Sequence, residues 1–145
     1  RSTPTTSSAA SDVYKRQLAG LVAITAEPLT PGPITAMFIG SIGAVIMYFG
    51  TKMLESYGLD DVVGAIPVHM FAGIFGTLIV PLTNPETSFG TQFIGTASVC
   101  IFSFGLSWAT FTILKSTIGL RISKAAEKLG TDKAEVGVTA YSIRD

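Results

Sequence analysis

The stretch VVGAIPVHMFAGIFGTLIVPL, Val62–Leu82, decides the fold. It carries no Asp, Glu, Lys or Arg, and the uncharged run continues to Pro85. About 20 such residues suffice to cross a bilayer as a helix. Its one ionisable side chain is His69, the only histidine of the chain. A charge at membrane depth costs several kcal/mol, roughly, so an ionisable group there usually faces a cavity, a partner or a transported species. His69 is therefore the first candidate functional residue.

The same pattern recurs on either side. Pro28–Thr51 and Thr87–Leu114 are also free of charged residues, and only 14% of the 145 residues are charged, against about 25% in an ordinary soluble domain. The chain reads as an all-α, polytopic membrane protein. The net charge of zero carries no information about partners. The single cysteine, Cys100, lies mid-span, cannot form an intrachain disulfide, and reads as a small apolar packing residue.

Residues 1–17 are rich in Ser, Thr and Ala with no apolar face, and SAASDVYKRQ, residues 8–17, looks like a translated assembly junction. They read as a non-native or disordered leader. Leu18–Ala26 is then the second half of a span, about 14 Å of helix, which makes the chain a truncated fragment. Glu27–Pro33, with three prolines and a glycine, is a connection. Complete spans are expected over 34–54, 62–82 and 92–118, the last long enough to tilt. Asp60 or Asp61 can cap the second of these, and residues 119–145 form a polar tail. Lys52 precedes one turn and Lys115, Arg121, Lys124, Lys128 and Lys133 follow the last span, whereas the loops 27–33 and 83–91 carry no Lys or Arg. The positive-inside rule puts the 55–61 turn and the C-terminus in the cytoplasm of a multi-pass cell-membrane protein.

On a regular helix, His69 stacks with Ala65, Ala72, Gly73, Gly76 and Val80. All are small or slender, so this face either admits a neighbouring helix closely or lines a narrow passage. Ala36, Gly40 and Ala44 form a comparable stripe with no ionisable group, which reads as packing. Pro67 cannot donate to the Val63 carbonyl and is expected to bend the helix. One histidine, one cysteine and no carboxylate within a span leave no metal cluster and no nucleophilic triad; no enzyme activity, cofactor or nucleic-acid partner is expected.

LAGLVAITA (18–26), GLDDVVGAIPVHMFAGIFGTL (58–78) and GLRISKAAEKLGTDKAEVGVTAY (119–141) resemble, in that order, the C-terminal part of the ammonium transporter family. The specific signals are the spacing from Asp60-Asp61 to Val68-His69 and, in the tail, Arg121, Gly130, Asp132, Gly137 and Ala140-Tyr141. The chain departs from the family pattern at Pro67, Met70, Lys124, Ala125 and Val136. The resemblance implies an eleven-helix fold with inverted repeats, assembled as a homotrimer with one pore per subunit. It makes His69 the second member of a twin-histidine pair and places its partner, an outer ammonium site and an aromatic gate on earlier helices; Ala65, Ala72 and Gly73, which stack with His69 on a regular helix, are the pore-lining candidates beside it. It also implies a regulatory tail open to a nitrogen-regulatory signalling protein.

By that analogy ammonium is deprotonated and ammonia passes His69, because dehydrating a neutral molecule costs far less than dehydrating an ion. Two other readings stand beside it: an ammonium sensor built on the same fold, and a small structural membrane protein complete as written, against which the half-span 18–26 argues.

Overall fold

The computed structural model describes residues 6–138. Its elements are helices α1 (Thr6–Thr25) and α2 (Pro33–Ser56), a third helical segment, α4 (Phe89–Thr117), α5 (Lys124–Leu129), and a π-helical turn at Asp132–Val136. The third segment, Ile66–Leu82, joins a π-helical turn (Ile66–Phe71), the helix α3 (Ala72–Ile79) and a 3-10 turn (Val80–Leu82). No strand occurs among the described residues. The chain divides after Cys100, within α4, into two units.

In the first unit, α1, α2 and the third segment pack through small residues. The buried face of α2 is Ile39, Gly43, Met47, Gly50 and Leu54, a spacing of three and four that keeps one side of the helix inward. Against it lie Ala19 and Ala23 of α1, which are 0% and 1% exposed. Glycines set the distances. A Cβ on Gly43 would stand 2.6 Å from the Ala23 Cβ, and one on Gly20 3.1 Å from the Gly40 carbonyl oxygen. A Cβ on Gly76 would collide with the Ala23 carbonyl oxygen, and one on Gly50 would meet the Phe71 ring at 2.6 Å. The expected packing stripe on α2 thus includes a true contact at Gly40, although Gly43 is the more tightly enclosed.

The ends of this unit differ in chemistry. At one, Asp12, Lys15, Arg16, Lys52, Glu55, Asp60 and Asp61 line two adjoining clefts. The Tyr48 ring there takes Lys52 Nζ at 4.4 Å and the Arg16 guanidinium at 5.4 Å from its centroid, a cation–π arrangement. At the other end the two loops without Lys or Arg meet. Asn84 Nδ2 donates to Glu27 Oε2 at 2.7 Å, while Glu27 Oε1 accepts from the Leu29 and Thr30 backbone N–H groups. The Asn84 side chain is the main reason the Glu27 carboxyl is held below its usual range, with the Leu29 N–H next.

The boundaries of four elements differ from the sequence reading. Helix α1 does not begin at Leu18 but runs from Thr6 through the stretch read as a leader. No proline or glycine interrupts residues 6–17, and elongating an existing helix is far cheaper than starting one. The spans expected at 34–54 and 92–118 are Pro33–Ser56 and Phe89–Thr117. The middle one starts at Ile66 rather than Val62, because Asp61 caps it from a distance: its Oδ1 accepts from the Ala65 N–H at 2.8 Å and its Oδ2 from the Ile66 N–H at 2.7 Å. The intervening turn closes through Gly64, whose φ of +73° suits glycine. Of the two candidate caps, Asp61 serves, and Asp60 makes no hydrogen bond among the described residues. Pro67 accordingly sits in the first turn, where its missing N–H costs little, and not at a mid-helix kink.

Two outcomes follow. Gly76→Val should destabilise the unit by about 1–3 kcal/mol through overpacking, whereas Gly95→Val, with no atom within 4 Å of its added Cβ, should not; thermal unfolding of the chain in detergent measures both. The Glu27 bridge should contribute in full at neutral pH and be lost as the pH falls from about 4.5 through the lowered folded-state value. Glu27→Gln should flatten that acid limb of the stability profile, and an unaltered limb would remove the bridge from the account.

Candidate functional site

The site begins at the Asp61 cap. The carboxylate fixes the first turn of the third segment, and Pro67 and Val68 then bury their side chains, Val68 in the cluster formed with Ala19, Met47 and Ala72. The turn is wider than an α-helix: the Ala72 N–H reaches back five residues to the Pro67 carbonyl and three to that of His69. π-Helical turns of this kind often mark functional sites.

The wide turn separates residues that a regular helix would stack. In an ideal α-helix His69 and Gly76 lie about 20° apart around the axis. Here the π turn ends between them, at Phe71, and the face divides into two rows. Val68, Ala72, Gly76 and Val80 are buried in the helix packing. His69, Gly73 and Thr77 line an open cleft of about 300 Å³, with Met70 and Ile74 beside them and Gly95, Thr96, Val99 and Cys100 of α4 completing the lining.

The sequence candidates are therefore not all in one place. His69 and Gly73 share the cleft. Ala72 is 0% exposed and belongs to the packing core. Ala65 is exposed at the start of the segment, its N–H held by Asp61, and does not line the cleft. Cys100, read as a packing residue, is exposed.

His69 is itself exposed, and its imidazole makes no hydrogen bond among the described residues. A neutral imidazole offers one N–H donor and one acceptor nitrogen, so both remain available to a small molecule in the cleft. Thr96 adds a second polar group. Thr25, Thr51, Thr77, Thr112 and Thr117 each donate to a carbonyl one turn back, but the Thr96 Oγ1 is buried with no partner among the described residues. No spacing or neighbour distinguishes Thr96 in the sequence, because a threonine in a helix ordinarily satisfies itself in this way. No group of three or more His, Cys, Asp or Glu side chains suited to a metal ion occurs among the described residues.

In the second unit, the Arg121 guanidinium pairs with the Glu127 carboxylate and holds it below the usual carboxylate range, chiefly by hydrogen bonding. Ser123 caps α5, its Oγ accepting from the Ala126 N–H. Gly130 and Gly137 have φ of +93° and +74°, and Asp132 Oδ1 lies against Gly130. Four of the five tail candidates thus shape turns or an ion pair. Tyr141 lies outside the described residues.

Comparison with known proteins bears directly on this geometry. The model of the Ammonium Transporter Family matches residues 11–141. The chain is similar to ammonium transporter Amt2 of Archaeoglobus fulgidus, 37% identical over 86% of this chain and 31% of that protein. It is also similar to Amt2 of Methanocaldococcus jannaschii, 34% identical over 86% of this chain and 31% of that one. The ammonium transporter of Corynebacterium glutamicum is 33% identical over 87% of this chain and 31% of its own length. The chain spans about a third of the length of these curated relatives. With its helices, its cap and its tail accounted for along nearly the whole of its length, the chain belongs to the ammonium transporter family.

Proposed function

We propose that this chain forms one wall of a path that carries ammonium across the cell membrane as ammonia, with His69 at the wall. The observation that carries the reading is an imidazole with no hydrogen-bond partner among the described residues, lining a cleft whose other groups are mostly small or apolar. The names of the relatives give the substrate class.

The physics of such a path is selective. Ammonium keeps its charge only where water or ligands replace its hydration shell, and an apolar cleft supplies few. Ammonia, neutral and small, enters at much lower cost, so a proton is left behind before passage. His69 then accepts a hydrogen bond from ammonia at one ring nitrogen or donates one to its lone pair from the other. A second imidazole facing it across the path would complete the route of the released proton. The row His69–Gly73–Thr77 keeps the wall slender over two turns, and the row behind it holds that wall rigid.

The same reading extends to orientation and assembly. Lys52 and the basic tail face the cytoplasm, the Glu27–Asn84 end faces outward, and the protein assembles as a homotrimer whose tail is open to a signalling protein. The apolar side chains left exposed on α2 and α4 supply faces for lipid and for neighbouring helices.

His69→Ala in the full-length protein should lower ammonium-evoked current about tenfold or more, the loss of one hydrogen bond to a polar species in a poorly solvated site. Surface expression should be unchanged, since His69 lies outside the packing core. Wild-type current and selectivity in that variant would overturn the assignment.

A further inference from the structure

The only histidine and the only cysteine of the chain line the same cleft. His69 comes from the π turn of the third segment and Cys100 from α4, and Met70 lines the cleft with them. All three side chains are within reach of a solute: His69 and Cys100 are exposed, and Met70 is 46% exposed. Gly73 and Gly95 add no side chain to the lining, and a Cβ on Gly95 would meet nothing within 4 Å. An imidazole nitrogen, a thiol and a thioether thus open onto one space of about 300 Å³.

This donor set selects its ligand by softness and by charge. Harder cations find no group of three His, Cys, Asp or Glu side chains among the described residues, but methionine sulfur extends the set toward soft metals, and thiolate with thioether suits Cu(I). The thiolate is the form of cysteine that ligates a metal, while imidazole and thioether bind as neutral groups. A monovalent cation therefore forms a complex with no net charge. A divalent cation on the same donors keeps one positive charge, in a cleft whose remaining lining is Ile74, Val99, two threonines and two glycines, and such a charge is costly in poorly solvated surroundings.

We propose that His69, Met70 and Cys100 form a binding site for Cu(I), held by an imidazole nitrogen, Met70 Sδ and Cys100 Sγ. On binding, the Cys100 S–H bond gives its proton to solvent and an S–Cu bond takes its place. Copper stays monovalent throughout, so no oxidant or reductant takes part. The site needs only these three donors and does not rest on the ammonia path.

The full chain in detergent, under nitrogen, is titrated against Cu(I) held by bicinchoninate, whose colour is lost as the chain takes the metal. One Cu(I) per chain is expected, with one nitrogen and two sulfur neighbours in the X-ray absorption spectrum. Cys100→Ser, Met70→Leu and His69→Ala should each weaken binding at least about tenfold, since loss of a mere outer-shell partner already costs 10–100-fold. Met53→Leu, at a half-exposed methionine that does not line the cleft, should leave the affinity unchanged, and excess Zn(II) should not displace the copper. None of the three donors belongs to the packed cluster of Ala19, Met47, Val68 and Ala72, so the variants should keep the helical circular dichroism of the parent chain. No uptake by the parent chain, one copper per two chains, as in a thiol bridge between copies, or full affinity in either Met70→Leu or His69→Ala, as for a thiol acting alone, would each overturn the proposal.

Discussion

Backbone-to-backbone approach of α1, α2 and the third segment governs the rest of this structure. Lipid tails are as apolar as leucine, so burying large side chains gives little net driving force for helix association in a bilayer, and close contact between helices replaces it. Here the contact is made by residues with no side chain to spare: Gly20 against Gly40, Gly43 against Ala19 and Ala23, and Gly76 against Ala23. Dispersion between atoms at such range is small per pair and large in sum. Because carbonyl oxygens and Cα atoms do the touching, a methyl group added at Gly43 or Gly76 has nowhere to go.

That contact fixes which way His69 points. Ala72, Gly76 and Val80 are committed to the packed side, and the segment can rotate no further without driving side chains into α1. The π turn at Ile66–Phe71 then supplies the change of phase that leaves His69, Gly73 and Thr77 on the other side. The Asp61 carboxylate anchors the start of this arrangement by taking two backbone N–H groups, a charge-assisted bond at the positive end of a helix. A charged cap, a wide first turn and a glycine contact are three local features with one outcome. An imidazole is presented to a cleft by a wall that cannot readily turn.

Much of the helical path was legible from charge alone. The uncharged runs mark α2, the third segment and α4 to within a few residues, since a bilayer-length helix without charges leaves few alternatives. The small-residue character of the His69 face was legible too, but its division was not. A regular 3.6-residue period puts His69, Ala72, Gly73 and Gly76 on one face, and only the π turn assigns Ala72 and Gly76 to packing. Nor could the sequence show that Asp61 would cap across a Gly64 turn and so move Pro67 into the first turn. The extension of α1 to Thr6 is invisible to hydropathy, because it rests on helix elongation and not on apolar pattern. Thr96 was unreadable for a related reason: its unpaired hydroxyl is a departure from what threonines in helices do.

The central claim is that two adjacent rows of the third segment have opposite roles, one packed and one open to a permeating molecule. Cysteine accessibility tests it most directly: in the full-length protein with Cys100→Ser, positions 68 to 77 are replaced by cysteine one at a time and exposed to a small water-soluble thiol reagent in native membranes. The account predicts modification at 69, 73 and 77 that ammonium slows, and protection at 68, 72 and 76. Equal reactivity at 72 and 76 would contradict it, because the packed row would then not be packed.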